Sequence, residues 1–444
     1  DNNVAIGKSA LTANTTGASN VAVGALALDA NTTGIRNIAI GQTALGASTT
    51  SDYNTAIGYE AMALNTTGTR NTALGTQALY TNVDGDNSVA IGYEALFNQD
   101  PASNVDMYNV AVGYAAGKAV TTGTQNTFIG GLSGDATTTG ENNVALGYAA
   151  LGANTTADEN TAIGAFSLDA NTTGTRNTAV GKSALGANTT GDFNTAVGRT
   201  ALENVTTADG NTAVGVAAGA QTTTGASNTA MGYLALNLNT TADNNTGIGK
   251  SALAANTTGA QNVAVGQEAG TSNTTGVSLA ALGRQALYAN TTGDNNTAIG
   301  QRALFNNTTA DSNTAVGNSA LNANTTGTLN TAVGAFALDA NTTANNNTAI
   351  GSSALGVNTT GANNVAIGAN ALDANTTASN NNALGLGALG ANTTGASNNA
   401  FGKNSLLANT TASNNSAFGH QALTSNTTGE INTAIGSQSM YTNT

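Results

Sequence analysis

One short unit recurs along the whole chain, and this repeat restricts the possible folds more than any other feature. The tetrad Val4–Gly7 returns as Val21–Gly24, Ile38–Gly41 and Thr55–Gly58, so the glycines that end successive tetrads recur with a constant period. We call these residues the phased glycines; the series continues to Gly436 and gives 26 copies. A chain of this kind folds as a stack of equivalent units. We therefore predict one continuous repeat domain over residues 1–444.

One step of the series is longer than the others. The step from Gly92 to Gly113 exceeds the regular period by four positions, and the extra chain falls in segment 98–108, which holds the only proline, Pro101. The regular period resumes after this segment. Because the insertion leaves the phase intact, we predict a loop at one corner of the repeating unit.

The apolar slots of the unit indicate where its core lies. The third tetrad slot, just before the phased glycine, is apolar in every copy, and the second slot is Ala in 24 of 26 copies, with Phe128 and Gly247 as the exceptions. A small-then-large apolar pair follows each tetrad, as in Ala10-Leu11. These slots predict core packing by Ile6, Val23, Ile40, Ile57 and Leu11.

The length of the unit favours strands over helices. Known helical repeats need roughly 33 residues or more, about twice the period seen here. Short apolar runs bounded by Gly and Asn-Thr-Thr-Gly are instead typical of strands. We predict an all-β protein, a β-solenoid or β-roll of about 26 stacked coils with two short strands in each. Coils spaced at ~4.8 Å would form a rod of roughly 120 Å.

The tetrad also predicts self-association. Neighbouring residues of a strand, such as Ala5 and Ile6, point to opposite sides, yet both slots stay small or apolar in almost every copy. One side belongs to the core of the coil. We expect a second chain to cover the other side, so that the protein forms an oligomer.

Four copies carry Gly where the large residue of the apolar pair is expected: Gly117, Gly134, Gly219 and Gly270. Phe128 lies between the first two of them, in an Ala slot. One interpretation is an exchange of volume between stacked neighbours, with the ring filling the space of the missing leucines. The alternative is an exposed Phe128 beside weak coils.

Asn-Thr-Thr is the one repeated chemical signature. It fits the glycan acceptor rule, but Asn also suits left-handed turns and would form an amide ladder when coils stack. We favour the ladder and keep N-glycosylation as the alternative. The candidate residues are Asn14, Asn31, Asn65, Asn154, Asn171, Asn188, Asn239, Asn256, Asn273, Asn290, Asn307, Asn324, Asn341, Asn358, Asn375, Asn392, Asn409 and Asn426. The rows of Thr suggest a hydroxyl array that could order water, as on an ice-binding surface.

Composition excludes several classes of protein. Only 8% of the residues are charged, Cys is absent, and His420 is the only histidine. A disulfide scaffold and a Cys-ligated metal site are therefore excluded, and general acid–base chemistry has few candidates. The net charge of −13 disfavours nucleic acid as a partner, and no apolar run reaches the ~20 residues of a membrane span. We predict no enzyme activity, no catalytic residue, no cofactor and no metal ligand.

Sequence motifs that resemble ligand sites fail on context. Gly385–Gly390 matches the dinucleotide pattern G-x-G-x-x-G, but a turn follows where a helix is required. Gly7–Ser9 resembles the end of a phosphate loop without the required upstream glycine. Asp84, Asp86 and Asp100 could suggest calcium, but acidic residues do not recur at the fixed phase that calcium-binding repeats need.

The tetrads resemble a known family. Asn3–Gly7, Ser88–Gly92 and Asn364–Gly368 are similar to the S/N-V-A-I-G signature of YadA-type head repeats in trimeric autotransporter adhesins. The whole unit resembles repeat regions of bacterial surface and tail-fibre-domain proteins. The resemblance implies a left-handed β-roll, three parallel chains, a location outside the cell and attachment to a surface. The coil of an adhesin head is shorter and lacks the Asn-Thr-Thr-Gly turn.

Together these features predict a structural or adhesive fibre module, extracellular or on the bacterial cell surface. The expected partners are other copies of the chain, in a homotrimer or a filament, and a host matrix, glycan or cell-surface molecule. The alternatives are an array that binds glycans or ice, and the shaft of a phage-type tail fibre. Solenoids need polar caps, and neither end of the sequence reads as one, so we expect a segment of a longer protein.

Overall fold

A computed structural model describes residues 2–442, and it is built from parallel strands. The described residues contain no helix. Each copy of the tetrad forms one short strand. The strands, in chain order from β1 to β26, are Val4–Ile6, Val21–Val23, Ile38–Ile40, Thr55–Ile57, Thr72–Leu74, Val89–Ile91, Val110–Val112, Thr127–Ile129, Val144–Leu146, Thr161–Ile163, Thr178–Val180, Thr195–Val197, Thr212–Val214, Thr229–Met231, Thr246–Ile248, Val263–Val265, Ala280–Leu282, Thr297–Ile299, Thr314–Val316, Thr331–Val333, Thr348–Ile350, Val365–Ile367, Asn382–Leu384, Asn399–Phe401, Ser416–Phe418 and Thr433–Ile435.

The chain divides into two compact units, Asp1–Thr224 and Gly225–Thr444. The first unit contains β1–β13 and the second contains β14–β26. Within each unit every strand pairs in parallel with the strand of the next coil, and equivalent residues lie opposite each other, as Ala162 does with Ala179. One turn of the chain thus advances the stack by one strand. The β-solenoid predicted from the repeat is confirmed.

The second strand predicted in each coil is wrong. The Ala-Leu pair lies in a turn, because the leucine adopts left-handed backbone angles, with φ of +50° at both Leu28 and Leu45. Hydrogen bonds between coils continue through this turn: the N–H of Leu28 donates to the carbonyl of Ala44 over 3.1 Å. The left-handed angle costs roughly 1–2 kcal/mol per residue. Burial of the leucine side chain offsets that cost.

The core lies between the strand and this turn. The second tetrad residue is fully buried in nearly every coil, and so are both members of the apolar pair, as in Ala22, Ala27 and Leu28. Leu11 itself is only half-buried, because it belongs to the first coil and has a neighbouring coil on one side.

The prediction of core packing is wrong for the third tetrad slot. Ile6 is 60% exposed and Ile40 is 37% exposed, while Val23 and Ile57 are half-buried. The reason is the alternation of a strand: its middle residue points inward, and so its first and third residues point outward. The small alanine inside lets the strand lie close to the opposing turn.

The phased glycine is required by close contact between coils. Its φ lies between +120° at Gly436 and +144° at Gly419, a region that side-chain-bearing residues rarely adopt. A Cβ atom at Gly181 would lie 2.5 Å from the carbonyl oxygen of Gly198 in the next coil. The glycine therefore turns the chain out of each strand and lets the coils stack.

Phe128 confirms the exchange of volume predicted from the sequence. Its side chain is completely buried, so the alternative of an exposed ring is wrong. A Cβ atom at Gly134 would lie 2.4 Å from Cε1 of the ring, and one at Gly117 would lie 2.7 Å from Cδ2. The ring thus occupies the space that a leucine fills in other coils.

The insertion forms a loop between β6 and β7 and leaves their register intact, with Val89 opposite Val110. Its middle, residues 102–106, is exposed, whereas Pro101 and Met107 are buried. Asp86 and Asp106 form an isolated parallel bridge. The extra chain is therefore anchored at both ends and protrudes at one corner.

Candidate functional site

The outward side of the strands presents a column of partly exposed apolar side chains in each unit. We call it the strand face; it consists of the first and third residues of every strand. The third residue is apolar in all coils, and neither position carries a charge. Away from the two terminal strands, exposure at the third position reaches 44% at Leu74 and 43% at Leu146. A continuous apolar surface of this kind is typical of interaction sites.

Equivalent side chains on the strand face form columns. Phe401 and Phe418 are stacked, with ring centroids 4.9 Å apart and an angle of 11° between the rings. The first position holds Thr or Val in most coils, and both are β-branched residues with few rotamers. The face is therefore stiff as well as regular.

The predicted amide ladder is present in the turn. Nδ2 of Asn188 donates to Oδ1 of Asn171 over 2.9 Å and to the carbonyl of Gly191, at the end of the same turn, over 3.0 Å. The same pair of bonds recurs at Asn273 and Asn324. Each amide thus closes its own turn and binds the previous coil.

The geometry of the ladder contradicts N-glycosylation of the folded chain. The candidate asparagines from Asn31 to Asn426 are fully buried, and Asn14, in the first coil, is half-buried. A glycan would have to be attached at Nδ2, the atom that donates these hydrogen bonds. The acceptor motif is therefore a consequence of turn chemistry in this protein.

A second amide ladder was missed by sequence reasoning. The residue just before each tetrad is nearly always Asn, and its side chain is buried. Oδ1 of Asn177 accepts the backbone N–H of Asn194 over 2.9 Å, and its Nδ2 donates to the carbonyl of Gly191 over 2.8 Å. The nearly constant Asn in this slot could have indicated a ladder, but an Asn before a strand is also typical of an ordinary strand boundary.

The two rows of Thr in the turn differ in what their hydroxyls do. The first hydroxyl donates to the carbonyl of the next coil, as from Thr172 to Thr189 over 3.0 Å. The second Thr, such as Thr173, is exposed. Among residues 2–442 the outward hydroxyls of the turn therefore come mainly from the second Thr, which is a narrower surface than the predicted array.

Several aspartates accept a backbone N–H from the previous coil. The side chain of Asp192 accepts the N–H of Thr175 in the previous coil over 2.6 Å, and Asp209 does the same for Asp192 over 2.8 Å. Asp86 and Asp100 accept the N–H groups of Thr69 and Val83. Within residues 2–442 no group of three or more His, Cys, Asp or Glu side chains is arranged to hold a metal ion.

The remaining motifs lie in ordinary positions of the coil. His420 is exposed, in the slot after a phased glycine. Gly385–Gly390 and Gly7–Ser9 are the corresponding strand-to-turn segments of their coils, and no helix follows either within the described chain.

Comparison of the chain with protein-family models and with curated proteins found no match. No helix among residues 2–442 has the length and apolar character of a membrane span. The chain is therefore assigned to a fold, the parallel β-solenoid, and not to a family.

Proposed function

We propose that this chain is a structural and adhesive fibre module that associates with further copies of itself through the strand face. The observation that carries the proposal is the uncharged, apolar third position of every strand, which is exposed or half-buried along the stack. Water-exposed apolar surface is costly, and burial against an equivalent surface recovers roughly 25 cal/mol per Å². A second copy fits best, because its columns carry the same spacing along the stack.

The area of the strand face in one unit approaches that of a stable contact. Thirteen strands spaced at ~4.8 Å, with three residues of ~3.3 Å each, give a face of about 600 Å² in each unit. A standard protein interface buries about 800 Å² per partner. The face of a single unit thus supplies most of a standard interface.

The proposal places the fibre outside the cell, on a bacterial surface, without an enzymatic role. Its support is the resemblance of the tetrads to adhesin head repeats and the uniform repeated surface. Three parallel chains, as in those heads, would turn three strand faces toward one axis. The turn columns would then remain outside, available for attachment.

The test is to place charge on the strand face. We expect the native chain to sediment as an oligomer. The variant I163K/I299K, which places one lysine in each unit, should sediment as a monomer. Burying an unpaired ammonium in a contact is costly. Sedimentation velocity over a range of concentrations measures the mass.

The matched control is T173K/T309K, which places the same two charges on exposed turn residues. This variant should associate as the native chain does. A native chain that stays monomeric at every concentration contradicts the proposal, as does equal dissociation of both variants.

A further inference from the structure

The edge of the turn shows a pairing between consecutive coils. We call the residue after the leucine of the apolar pair the edge residue; it varies widely, from Gly to Tyr. Every Asp in this column is followed by Gly at the same phase of the next coil. These pairs are Asp29 with Gly46, Asp135 with Gly152, Asp169 with Gly186, Asp339 with Gly356, and Asp373 with Gly390. Two of the pairs form notches.

The first notch lies in the first unit and has a volume of about 460 Å³. Its floor is Gly186 and Ala187, because this coil has no edge side chain. The coil before it contributes Asp169 and the ring of Phe166, and the coil after it contributes Glu203 and Asn204. The notch is therefore one coil wide, with polar groups and a ring on its walls.

The second notch lies in the second unit, twelve repeats later in the sequence, and has a volume of about 570 Å³. Its floor is formed by Gly387 and Gly390, and Asp373 again precedes the gap. The apolar wall is Leu407, whose Cδ1 would lie 3.2 Å from a Cβ atom at Gly390. The side chain of Asn404 lies beside the floor, with Oδ1 2.8 Å from the Cβ position of Gly387.

The two aspartates at the notches differ from Asp135 and Asp339 in their surroundings, and they share them with Asp29, which is also half-buried. Both are half-buried, and neither side chain has a hydrogen bond or an ion pair within the described residues. Asp135 and Asp339, by contrast, interact with Lys118 and Arg302. A half-buried carboxylate without a partner is an acceptor that a ligand can satisfy.

The shared chemistry identifies the class of ligand. Each notch combines an unpaired aspartate, at least one asparagine, an apolar wall and a glycine floor; the first also carries Glu203 and the second also carries Asn370. The carboxylate accepts hydroxyl protons, the amide both donates and accepts, and the apolar wall packs against C–H groups. A lone ammonium group would need neither the amide nor the apolar wall.

We propose that these two notches each bind a neutral pyranose unit of a polysaccharide. Both notches are shallow and open to solvent, so they would hold one unit of a chain that continues beyond them. The inference rests on the proposed adhesive function and names the class of surface to which the fibre attaches. Burial raises the pKa of Asp169 and of Asp373, so binding should weaken toward acid pH as these carboxylates become protonated.

The test uses the full chain on an array printed with neutral oligosaccharides of gluco, galacto and manno configuration. We expect the native chain to bind at least one series. The variant D169N/D373N keeps the shape of the notches but loses a charged acceptor in each, so its affinity should fall about tenfold or more. The variant G186Y/G390Y fills both notches and should lose binding.

The control for the filled variant is A254Y, which places the same ring in the edge column of another coil. Tyr80 and Tyr288 already occupy this column, so the fold accepts the ring. A254Y should bind like the native chain. The inference is overturned if the native chain binds none of the neutral oligosaccharides, or if the native chain and G186Y/G390Y bind them equally. It is also overturned if the native chain binds hexalysine more tightly than the sugars and G186Y/G390Y loses that binding.

The proposed fibre function is measured separately on the same samples by sedimentation. Association that survives in G186Y/G390Y while sugar binding is lost supports both proposals. Association without any sugar binding overturns the inference alone. Sugar binding by a chain that stays monomeric leaves the notches in place and overturns the self-associating fibre.

Discussion

At the scale of single residues, side-chain amides take over hydrogen bonding where the strands end. The short strands leave most of each coil in turns, whose buried backbone groups still need partners. The two asparagine ladders supply them. The ladder in the turn is interrupted at Ser48 and Val205, and Oδ1 of Asn31 and of Asn188, one coil earlier, is accordingly left without a donor. An unsatisfied buried acceptor of this kind costs roughly 1–3 kcal/mol.

Restoring the ladder should therefore stabilise the protein. In S48N/S51G the new amide can donate to Asn31 and accept from Asn65, and the glycine removes the Ser51 hydroxyl that is now bonded to Ser48. We expect the free energy of unfolding to rise by about 1 kcal/mol in urea titrations.

The single variant S48N is the control for this prediction. The variant forfeits the bond between the two serine hydroxyls and leaves the hydroxyl of Ser51 without that partner beside the new amide. It should gain less stability than the double variant. Equal stability of the native chain and S48N/S51G would show that the free oxygen of Asn31 carries no cost.

At the scale of the coil, strand and turn are matched in volume. The strand contributes alanine and the turn contributes leucine, and the positive φ of the leucine directs its side chain inward. At Phe128 the two contributions are reversed: the large residue is on the strand, and Gly117 and Gly134 are in the turns. At these coils the ring occupies the space that the two turn leucines would fill.

Returning alanine to the strand and leucine to the turns should recover the stability that is lost when Phe128 is removed. F128A alone leaves a cavity and should lower the free energy of unfolding by about 3–5 kcal/mol. The triple variant F128A/G117L/G134L restores the common pattern and should recover most of that loss, because leucine adopts the required φ in the other coils. Urea titrations of the three proteins measure the coupling.

The control for this cycle is G134L in the native background. Its side chain would overlap the ring of Phe128, so it should be destabilised. If F128A/G117L/G134L were no more stable than F128A, the exchange of volume would be contradicted.

At the scale of the whole molecule, an acidic chain carries part of its charge in half-buried positions. Burial raises the pKa of Asp135, Asp169, Asp339 and Asp373 above the ordinary value of 3.8. Between the ordinary pKa and the raised pKa values, these carboxyl groups bind more protons in the folded state than in the unfolded state. These groups favour folding most at low pH, and their contribution is lost as the pH rises through their folded pKa values.

The stability of the protein should show this dependence. In the variant with all four aspartates changed to asparagine, the gain in unfolding free energy between pH 7 and pH 4 should be smaller than in the native chain. Thermal unfolding at several pH values measures it. Glu94 provides an internal contrast, because its hydrogen bond to Lys118 lowers its pKa and acts in the opposite direction. If the unfolding free energy changed by the same amount between pH 7 and pH 4 in the variant and in the native chain, the raised pKa values of these aspartates would be refuted.

The sequence alone determined the repeat, the solenoid, the phase of the insertion, the ladder of turn asparagines and the exchange of volume at Phe128. All of these follow from spacing, because a fixed period places equivalent residues in columns. The tertiary structure decided which apolar slot faces inward, and it placed Ile6 and Ile40 outside. It also replaced the second strand with a left-handed turn and brought Asp169 and Glu203 together at a notch. The period fixes which residues stack, whereas the path of the chain within one coil fixes the direction of each column, and that path depends on how strand and turn pack together.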